Sequence, residues 1–152
     1  MISRQADHVA EKGMILVCSA GNAGGYSWKK LTPPSEAKHI ITVGAIGKNG
    51  KLAHFSSIGN TADNRIKPDV VAVGVLADVI GTNGQPSFSA GTSFSSPIMC
   101  GMVACLWQAS PHLTAKELIE VIRLSGDRVE YPDNIYGYCV PEMLKALNSQ
   151  LS

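Results

Sequence analysis

The chain carries little net charge and no long apolar run, and each absence removes a class of function. Its 152 residues have a formal net charge of +1, which offers no electrostatic footprint for nucleic acid or an anionic membrane. No membrane-spanning apolar stretch, signal peptide, low-complexity tract or internal repeat occurs. A hydrophobic content of 45% with 16% charged residues instead predicts one globular domain over residues 1–152.

Cysteine is sparse, and the common cofactor motifs are absent. The four cysteines form no C-x-x-C pair and no cluster with histidine, so nothing indicates zinc or redox chemistry. Three of them lie in apolar strand or helix segments, where a free thiol is expected to pack as a small hydrophobic side chain, and a disulfide framework is the less favoured alternative. The chain contains neither G-x-G-x-x-G nor G-x₄-G-K, so it offers no nucleotide-binding loop. We therefore expect no cofactor.

What the chain does contain is a polar segment, Gly91-Thr92-Ser93-Phe94-Ser95-Ser96-Pro97, followed by an uncharged run. Residues 98–107 are apolar on every face, which predicts a wholly buried helix over about 94–108. Proline favours the first turn of a helix, so Ser93 is expected at the helix start, where free N–H groups favour negative charge. On residues 91–97 alone, a polar loop that caps a helix is an equally good interpretation.

A second segment follows the predicted strand 14–18. It reads Ser19-Ala20-Gly21-Asn22, and on its own it is best interpreted as a plain turn. Asn22 nevertheless lies just beyond the carboxyl end of a strand, where ligands bind in open α/β sheets. The strandless run from Ala23 to Lys38 is longer than a simple connector and is predicted to face substrate.

Together these segments resemble motifs of the subtilisin-like serine proteases, the subtilase family. Residues 91–97 match its G-T-S-x-[SA]-x-P signature, and residues 19–22 match its S-A-G-N segment. Four more matches keep the family order: Pro33-Pro34-Ser35 with the strand 40–45, Phe55-Ser56-Ser57-Ile58-Gly59, Lys67-Pro68-Asp69-Val70-Val71-Ala72, and Tyr136-Gly137-Tyr138. The chain departs from the family pattern at Val73, where proline is usual, and at Cys139, where glycine is usual.

The resemblance implies roles for individual residues. Ser93 would be the nucleophile, and the Asn22 amide would donate to the oxyanion together with the Ser93 backbone N–H. Ser19, Ala20 and Gly21 would form a wall of the primary specificity pocket. Gly91, which lacks a Cβ, would let substrate approach closely and would bind it together with Thr92. The resemblance implies no required cofactor, and no carboxylate-rich loop identifies a site for structural calcium.

Two elements of the family pattern do not occur in the chain. The family's aspartate and histidine lie in D-[ST]-G and H-G-[TS], both on the amino-terminal side of the oxyanion asparagine, and neither pattern is found here. We interpret the four histidines as surface or packing residues rather than as a relocated base: His8, His39, His54 and His112.

We therefore predict the carboxyl-terminal half of a subtilase catalytic domain. The expected fold is a three-layer αβα arrangement with a mostly parallel sheet whose amino-terminal strands are missing. The expected function is peptide-bond hydrolysis through an acyl-enzyme, with peptide or protein substrates, with the amino-terminal half as partner and with no activity in this chain alone. The resemblance implies a secreted or cell-envelope protein, so we attribute the absent signal peptide to loss at the amino end. The alternative is a non-catalytic relic that binds peptides or has a structural role.

Other local signals predict the remaining elements. A helix is expected over 2–12, with one apolar face, with Lys12 in its last turn and with Gly13 as its C-cap; the apolar face is formed by Ile2, Ala6, Val9 and Ala10. Strands are expected near 40–46 and 69–76 as well as 14–18, each apolar enough to be covered on both faces. A capping box at Thr114 and Glu117 predicts a helix that ends near Ser125, and Pro141 is expected to begin the last helix.

Overall fold

Three parallel strands organise the part of the chain that the computed structural model describes, residues 1–150. They are β1 (Val17–Ser19), β2 (Ile41–Ile46) and β3 (Val70–Val73), in the spatial order β1-β2-β3. The register places Val17 beside Ile41 and Val43 beside Val70. Every residue of β2 is buried, as expected for a central strand covered on both faces.

Helices cover both faces of this sheet. They are α1 (Ile2–Ala10), α2 (Thr92–Ala109), α3 (Ala115–Leu124) and α4 (Met143–Asn148). Alternate strand residues point to opposite faces, so Ile41 and Val43 pack with α2 and α3, whereas Leu16 and Cys18 pack with α1. The predicted three-layer αβα arrangement with a parallel sheet is confirmed.

Several predicted boundaries are wrong by a few residues. The first strand is Val17–Ser19 rather than 14–18, and Met14 is exposed. The first helix ends at Ala10, and Ile2 at its start is exposed rather than part of the buried face. Gly13 has a φ of +93°, a conformation that favours glycine, but the C-cap is Glu11, whose N–H donates to the Asp7 carbonyl at 2.9 Å, so the predicted C-cap at Gly13 is wrong. The third strand is Val70–Val73, shorter than the expected 69–76.

The two proline positions also differ from prediction. Because α2 begins at Thr92, Pro97 lies in its second turn rather than its first. A proline there has no N–H for the carbonyl four residues earlier, so the Ser93 carbonyl receives no helical hydrogen bond. The last helix begins at Met143, with Glu142 as its N-cap, so Pro141 precedes the helix instead of opening it.

A β-hairpin that the sequence reading missed connects β3 to α2. Its strands β4 (Ala77–Ile80) and β5 (Pro86–Ser89) pair antiparallel, with Val79 beside Ser87. The turn contains Asn83-Gly84, and Gly84 has a φ of +76°. Asn-Gly is the strongest short signal for a hairpin, so the local sequence did carry this information.

Helix α2 is buried on one face and exposed on the other, so the prediction of a wholly buried helix is wrong for this chain. Met99, Val103 and Leu106 are buried against the sheet. The opposite face, which we call the outer face of α2, consists of exposed apolar or small residues: Pro97, Ile98, Cys100, Gly101, Ala104 and Cys105. Nothing lies within 4 Å of the place where a Cβ on Gly101 would stand, so no described element approaches it. No helix among residues 1–150 is both long and apolar enough to cross a membrane.

The free edge of β3 is partly closed by a segment from the carboxyl-terminal region. Tyr138 N–H donates to the Asp69 carbonyl at 2.8 Å, and Val71 N–H donates to the Cys139 carbonyl at 3.0 Å. Cys139 has a φ of +71°, the left-handed region in which a side chain is unfavourable. That conformation explains why the family pattern has glycine at this position.

Candidate active site

The candidate site lies at the carboxyl end of the sheet, where β1 ends and α2 begins. Ser19 is the last residue of β1, and its successor Ala20 is held by a hydrogen bond from Ala20 N–H to the Val43 carbonyl at 2.9 Å. The backbone then turns sharply at Gly21, whose φ is +105°. A Cβ on Gly21 would lie 2.6 Å from Thr32 Oγ1, so only glycine fits there. This turn brings Asn22 to the surface beyond the strand.

Ser57 holds the turn at residues 21–23 through two hydrogen bonds. Its backbone N–H donates to the Gly21 carbonyl at 2.9 Å, and its Oγ accepts from Ala23 N–H at 2.9 Å. Ser57 is completely buried, so these bonds hold the backbone on both sides of Asn22. The motif 55–59 therefore fixes the loop that presents Asn22.

The beginning of α2 is anchored to the same end of the sheet. Gly91 N–H donates to the Gly74 carbonyl, just beyond β3, at 2.8 Å. One turn further along α2, Ser96 Oγ donates to the carbonyl of Val17, the first residue of β1, at 3.3 Å. Gly91 has a φ of +152° and serves as the N-cap. Ser93 is the second residue of the helix and is exposed, as the sequence reading expected. Its N–H belongs to the first turn and so has no acceptor within the helix.

Asn22 and the start of α2 are joined directly, although they are separated by 70 residues in sequence. Thr92 N–H donates to Asn22 Oδ1 at 3.0 Å, and Thr92 Oγ1 donates to the same oxygen at 2.9 Å. Thr92 is completely buried, whereas Asn22 and Ser93 are exposed. The structure thus brings Asn22, Gly91, Thr92 and Ser93 together. No local pattern in the sequence signals the contact between Asn22 and Thr92.

The segment predicted as a specificity wall is only partly accessible. Ser19 and Gly21 are half-buried, whereas Ala20 has no exposed surface. Ala20 therefore cannot contact a substrate in this structure and lies behind Ser19 and Gly21. The assignment of Ser19 and Gly21 to a substrate pocket stays a prediction.

The loop after Asn22 has no regular strand, as predicted. Its residues Tyr26 and Trp28 are exposed, and its single ladder contact is an isolated bridge between Lys30 and Ile58. Lys30 Nζ also donates to the Gly59 carbonyl at 2.7 Å, which ties the far part of the loop to the segment 55–59. Two large aromatic side chains are thus exposed on the segment that follows Asn22.

None of the four histidines is hydrogen-bonded to Ser93 within residues 1–150. All four are exposed. His8 Nδ1 lies 3.9 Å from a carboxylate oxygen of Glu11 on α1, and the His39 backbone N–H donates to Asp7 Oδ1. The described residues thus give Ser93 no hydrogen-bonded base.

The Cys18 thiol in β1 offers no thiolate as a substitute, because burial raises its pKa.

A separate cavity of about 310 Å³ lies between the end of α1 and α3. Its lining includes Gly13, His39, Ile119 and Arg123 and contains none of the candidate site residues. Asn22 and Ser93 lie on the exposed surface and outside this cavity.

Comparison with known proteins identifies the family. Residues 1–139 match the model of the subtilase family. This chain belongs to the subtilase family. It is 30% identical to serine protease AprX of Bacillus subtilis (strain 168), with 88% of this chain and 35% of that protein aligned. It is 29% identical to subtilisin DY of Bacillus licheniformis, with 89% of this chain and 47% of that protein aligned.

Solved structures show the same fold. The self-cleaved protease domain of PatA superposes with a TM-score of 0.77 at 21% identity, over 97% of this chain and 54% of that chain. The subtilase chain thus spans 35% of AprX, 47% of subtilisin DY and 54% of the PatA domain. The predicted identity as a subtilisin-like protease sequence and the predicted fold class are confirmed.

Proposed function

We propose that residues 1–152 supply the nucleophile and the oxyanion-stabilising groups of a subtilisin-like serine endopeptidase. The observation that carries this proposal is the direct connection between Asn22 and the residue before Ser93. It joins the side chain that carries the amide to the first turn of the helix that carries the exposed Ser93. A side-chain amide, a first-turn N–H and a serine hydroxyl are the groups that acyl transfer requires.

In this proposal Ser93 Oγ attacks the carbonyl carbon of the scissile peptide bond. A general base accepts the hydroxyl proton, and the negative charge that develops on the carbonyl oxygen is stabilised by Asn22 Nδ2–H and the Ser93 N–H. The C–N bond then breaks as the base returns the proton to the leaving amine, which leaves an ester on Ser93. Water hydrolyses that ester by the same sequence of proton transfers and regenerates the serine.

The base and its acidic partner would come from a segment outside residues 1–152. The outer face of α2 supports this proposal, because a helix without charge between residues 92 and 109 exposes apolar and small side chains along one side. The edge of β1 that faces away from β2 has no strand partner among residues 1–150. Both features fit a surface that further strands and helices of the same domain would cover. Residues 1–152 alone would then hydrolyse no peptide.

The coding sequence upstream of Met1 gives the first test. We expect an in-frame segment that carries D-[ST]-G and H-G-[TS]. An upstream stop codon with neither pattern would overturn the proposal as stated and favour a non-catalytic peptide-binding or structural module.

The second test labels the longer chain with a fluorophosphonate probe, followed by mass-spectrometric mapping of the adduct. We expect the adduct on Ser93, with Ser93→Ala abolishing both labelling and casein hydrolysis. Ser87→Ala provides the matched control, because Ser87 is also exposed but lies on β5, and it is expected to label normally. An adduct on another serine, or hydrolysis of casein by residues 1–152 alone that Ser93→Ala abolishes, would contradict the proposal.

A further inference from the structure

We propose that the chain binds a small oxyanion of the phosphate class in a cavity at the amino end of the sheet. This cavity of about 250 Å³ lies between the segments that lead into β2 and β3, the last turn of α3 and Tyr138. We call it the cationic cavity, because its charged lining residues are four cations and one carboxylate: Lys38, Arg65, Lys67, Arg123 and Asp69. Neither Asn22 nor Ser93 lines it, so the inference does not depend on the proposed function.

The carboxylate in this lining is shared by two of the cations. Lys67 Nζ lies 2.5 Å from Asp69 Oδ2, and Arg123 Nη2 lies 2.6 Å from Asp69 Oδ1. Burial lowers the pKa of Lys67, although the attraction of Asp69 opposes that change. Repulsion from Arg123 and Arg65 lowers the pKa of Lys67 further, so these cations are close enough to repel one another. A bound anion would reduce that repulsion.

Two further carboxylates pair with cations of the lining from outside the cavity. Asp63 lies 2.8 Å from Arg65 Nε, and its side chain is 50% exposed. Glu120 pairs with Arg123, and its side chain is 51% exposed. Water screens such exposed charges more strongly than charges that line a cavity. A cavity lined mainly by one sign of charge concentrates ions of the opposite sign.

Two of the cations also have hydrogen-bond donors that no residue uses. The Arg65 guanidinium donates from Nε to Asp63 and from Nη2 to the Glu36 carbonyl at 2.7 Å. Its Nη1 is shielded from solvent and has no acceptor among residues 1–150, which is the situation expected where a water or an ion is missing. The Lys38 side chain is exposed and forms no hydrogen bond or ion pair within the same residues. A guanidinium and an ammonium group are the side chains that proteins use to bind phosphate.

The volume of the cationic cavity limits the kind of anion. Sites for drug-sized ligands typically have volumes of about 300–1,000 Å³. At about 250 Å³, the cationic cavity suits a tetrahedral oxyanion with part of its hydration. The shared chemistry is that of a free phosphate ion and of the terminal phosphoryl group of a small metabolite.

The same contacts have a second interpretation, in which Arg65 serves only to fasten its own segment. Glu36 Oε2 is also shielded from solvent and without a partner among residues 1–150. A movement that brings Glu36 Oε2 to Arg65 Nη1 would satisfy both groups within the chain. This interpretation predicts that added phosphate has no specific effect, whereas an oxyanion site predicts saturable binding.

The test titrates inorganic phosphate, methyl phosphate or sulfate into the full-length chain that the reading frame encodes, with isothermal titration calorimetry as the readout. The midpoint of thermal unfolding is followed in parallel. We expect one bound phosphate per chain and a midpoint that rises with phosphate concentration, because a ligand that binds the folded state stabilises it. Sodium chloride at the same ionic strength should not reproduce this rise.

The two phosphate compounds distinguish the sources of the ligand. Methyl phosphate that binds as tightly as inorganic phosphate would identify an esterified phosphoryl group as sufficient, and weaker binding of methyl phosphate would identify the free ion. Either result supports an oxyanion site. An equal rise of the midpoint in chloride and in phosphate would overturn the inference, and so would the absence of both a heat of binding and a rise in phosphate.

Lys38→Gln is the decisive variant, because Lys38 is exposed and its loss removes no contact of the fold. We expect it to weaken phosphate binding by about tenfold, as for the loss of one charge-assisted hydrogen bond. Lys38→Arg keeps the charge and should bind phosphate within about threefold of the unaltered chain. Arg65→Gln should weaken binding by about tenfold or more. Because Arg65→Gln also removes the bonds to Asp63 and Glu36, its thermal midpoint without phosphate is measured as well.

Lys116→Gln is the matched control for Lys38→Gln. Lys116 is also an exposed lysine, but it lines the neighbouring cavity of about 310 Å³ and not the cationic cavity. It removes the same charge and should leave phosphate affinity within about twofold of the unaltered chain, as for an exposed charge outside the site. Equal losses in Lys38→Gln and Lys116→Gln would place the anion in the neighbouring cavity and contradict the inference. Undiminished phosphate binding by Lys38→Gln would contradict it as well.

Discussion

At the carboxyl end of the parallel sheet, Asn22 and Ser93 are exposed, whereas at its amino end the side chains of Lys67 and Asp69 are only 2% and 1% exposed. The amino-end cluster sits beside the starts of β2 and β3, where Asp69 immediately precedes Val70. The same chain thus keeps neutral polar groups in solvent at one end and full charges out of solvent at the other.

The amino-end cluster consists of Lys67, Asp69 and Arg123, and the Asp69 carboxylate accepts most of its hydrogen bonds. The Asp69 carboxylate accepts from Thr42 N–H at 2.6 Å, from Lys67 Nζ at 2.5 Å, and from Arg123 Nε and Nη2 at 2.9 and 2.6 Å. Lys67 Nζ also donates to the Ile40 carbonyl at 2.9 Å. Burial lowers the pKa of Lys67, and the attraction of Asp69 opposes that change. Burial acts in the same direction on Arg123, but Asp69 and Glu120 outweigh it, so its pKa is raised.

The comparison teaches which polar groups are available for chemistry. At the amino end both oxygens of the Asp69 carboxylate accept hydrogen bonds from other residues of the chain, so the carboxylate joins β2, β3 and α3. At the carboxyl end the Asn22 oxygen is engaged, but the Asn22 amide hydrogens, the Ser93 hydroxyl and the Ser93 N–H have no partner in the described residues. Buried charges here link elements of the fold to one another, and exposed neutral donors form the candidate site.

The largest expected effect is on stability at the amino end. Asp69→Asn keeps the shape of the side chain but leaves two cations facing a neutral amide. We expect the free energy of unfolding to fall by about 3 to 5 kcal/mol, because removal of one partner leaves a buried charge uncompensated. Urea denaturation followed by tryptophan fluorescence measures this change.

The matched control is Asp78→Asn, because the Asp78 carboxylate forms an exposed ion pair with Lys48 at 3.4 Å. We expect that substitution to change the free energy of unfolding by less than about 0.5 kcal/mol. Equal effects of Asp69→Asn and Asp78→Asn would show that the buried cluster does not hold the amino end together.

The next effect is on turnover at the carboxyl end. In the longer chain, Asn22→Ala should lower kcat by about 10²- to 10³-fold with little change in KM, the range known for loss of one oxyanion donor in subtilisin itself. Steady-state kinetics on a peptide substrate test this, with Asn83→Ala in the exposed hairpin turn as the control. Asn22→Ala should also lower the free energy of unfolding by about 1 to 3 kcal/mol, since it removes the acceptor for the N–H and hydroxyl of buried Thr92. A change confined to KM would instead make Asn22 a binding or turn residue.

Short-range signals in the sequence predicted the elements well. The capping box at Thr114 and Glu117 begins α3 as expected, and glycine with a positive φ follows α1. Uninterrupted apolar runs located all three parallel strands, because a strand that is covered on both faces carries apolar side chains on both. The hairpin is not evident from periodicity because its strands are short and mixed in polarity, and Asn83-Gly84 is its one clear local signal.

Long-range contacts account for what the sequence did not reveal. Thr92 meets Asn22 and Arg123 meets Asp69 across 70 and 54 residues, and no local pattern encodes either pairing. The apolar residues on the outer face of α2 predict burial, but the sequence of a helix does not identify the element that would cover it. In residues 1–150 no element covers this face. Proline favours the first turn of a helix, which predicts a helix that begins close to Pro97, but α2 begins at Thr92.

The smallest expected effect concerns the helix that brings Arg123 to Asp69. Glu117 Oε2 accepts from Thr114 N–H at 2.8 Å and from Thr114 Oγ1 at 2.7 Å, and these hydrogen bonds, led by the backbone one, lower the pKa of Glu117 below its ordinary value of 4.5. A carboxyl group whose pKa is lower in the folded state stabilises the fold above its unfolded pKa, and this contribution is lost as the pH falls through the folded pKa. We therefore expect Glu117→Gln to be slightly less stable than the unaltered chain at pH 7 and equally stable once the pH is well below 4.5.

Glu130→Gln, an exposed substitution outside the helices, controls for the loss of one negative charge. Urea denaturation at a series of pH values measures the difference between each variant and the unaltered chain. If the difference for Glu117→Gln stays constant from pH 7 into the acid range, the capping box does not act through the ionised carboxylate, and the start of α3 is held by the Thr114 cap and by packing.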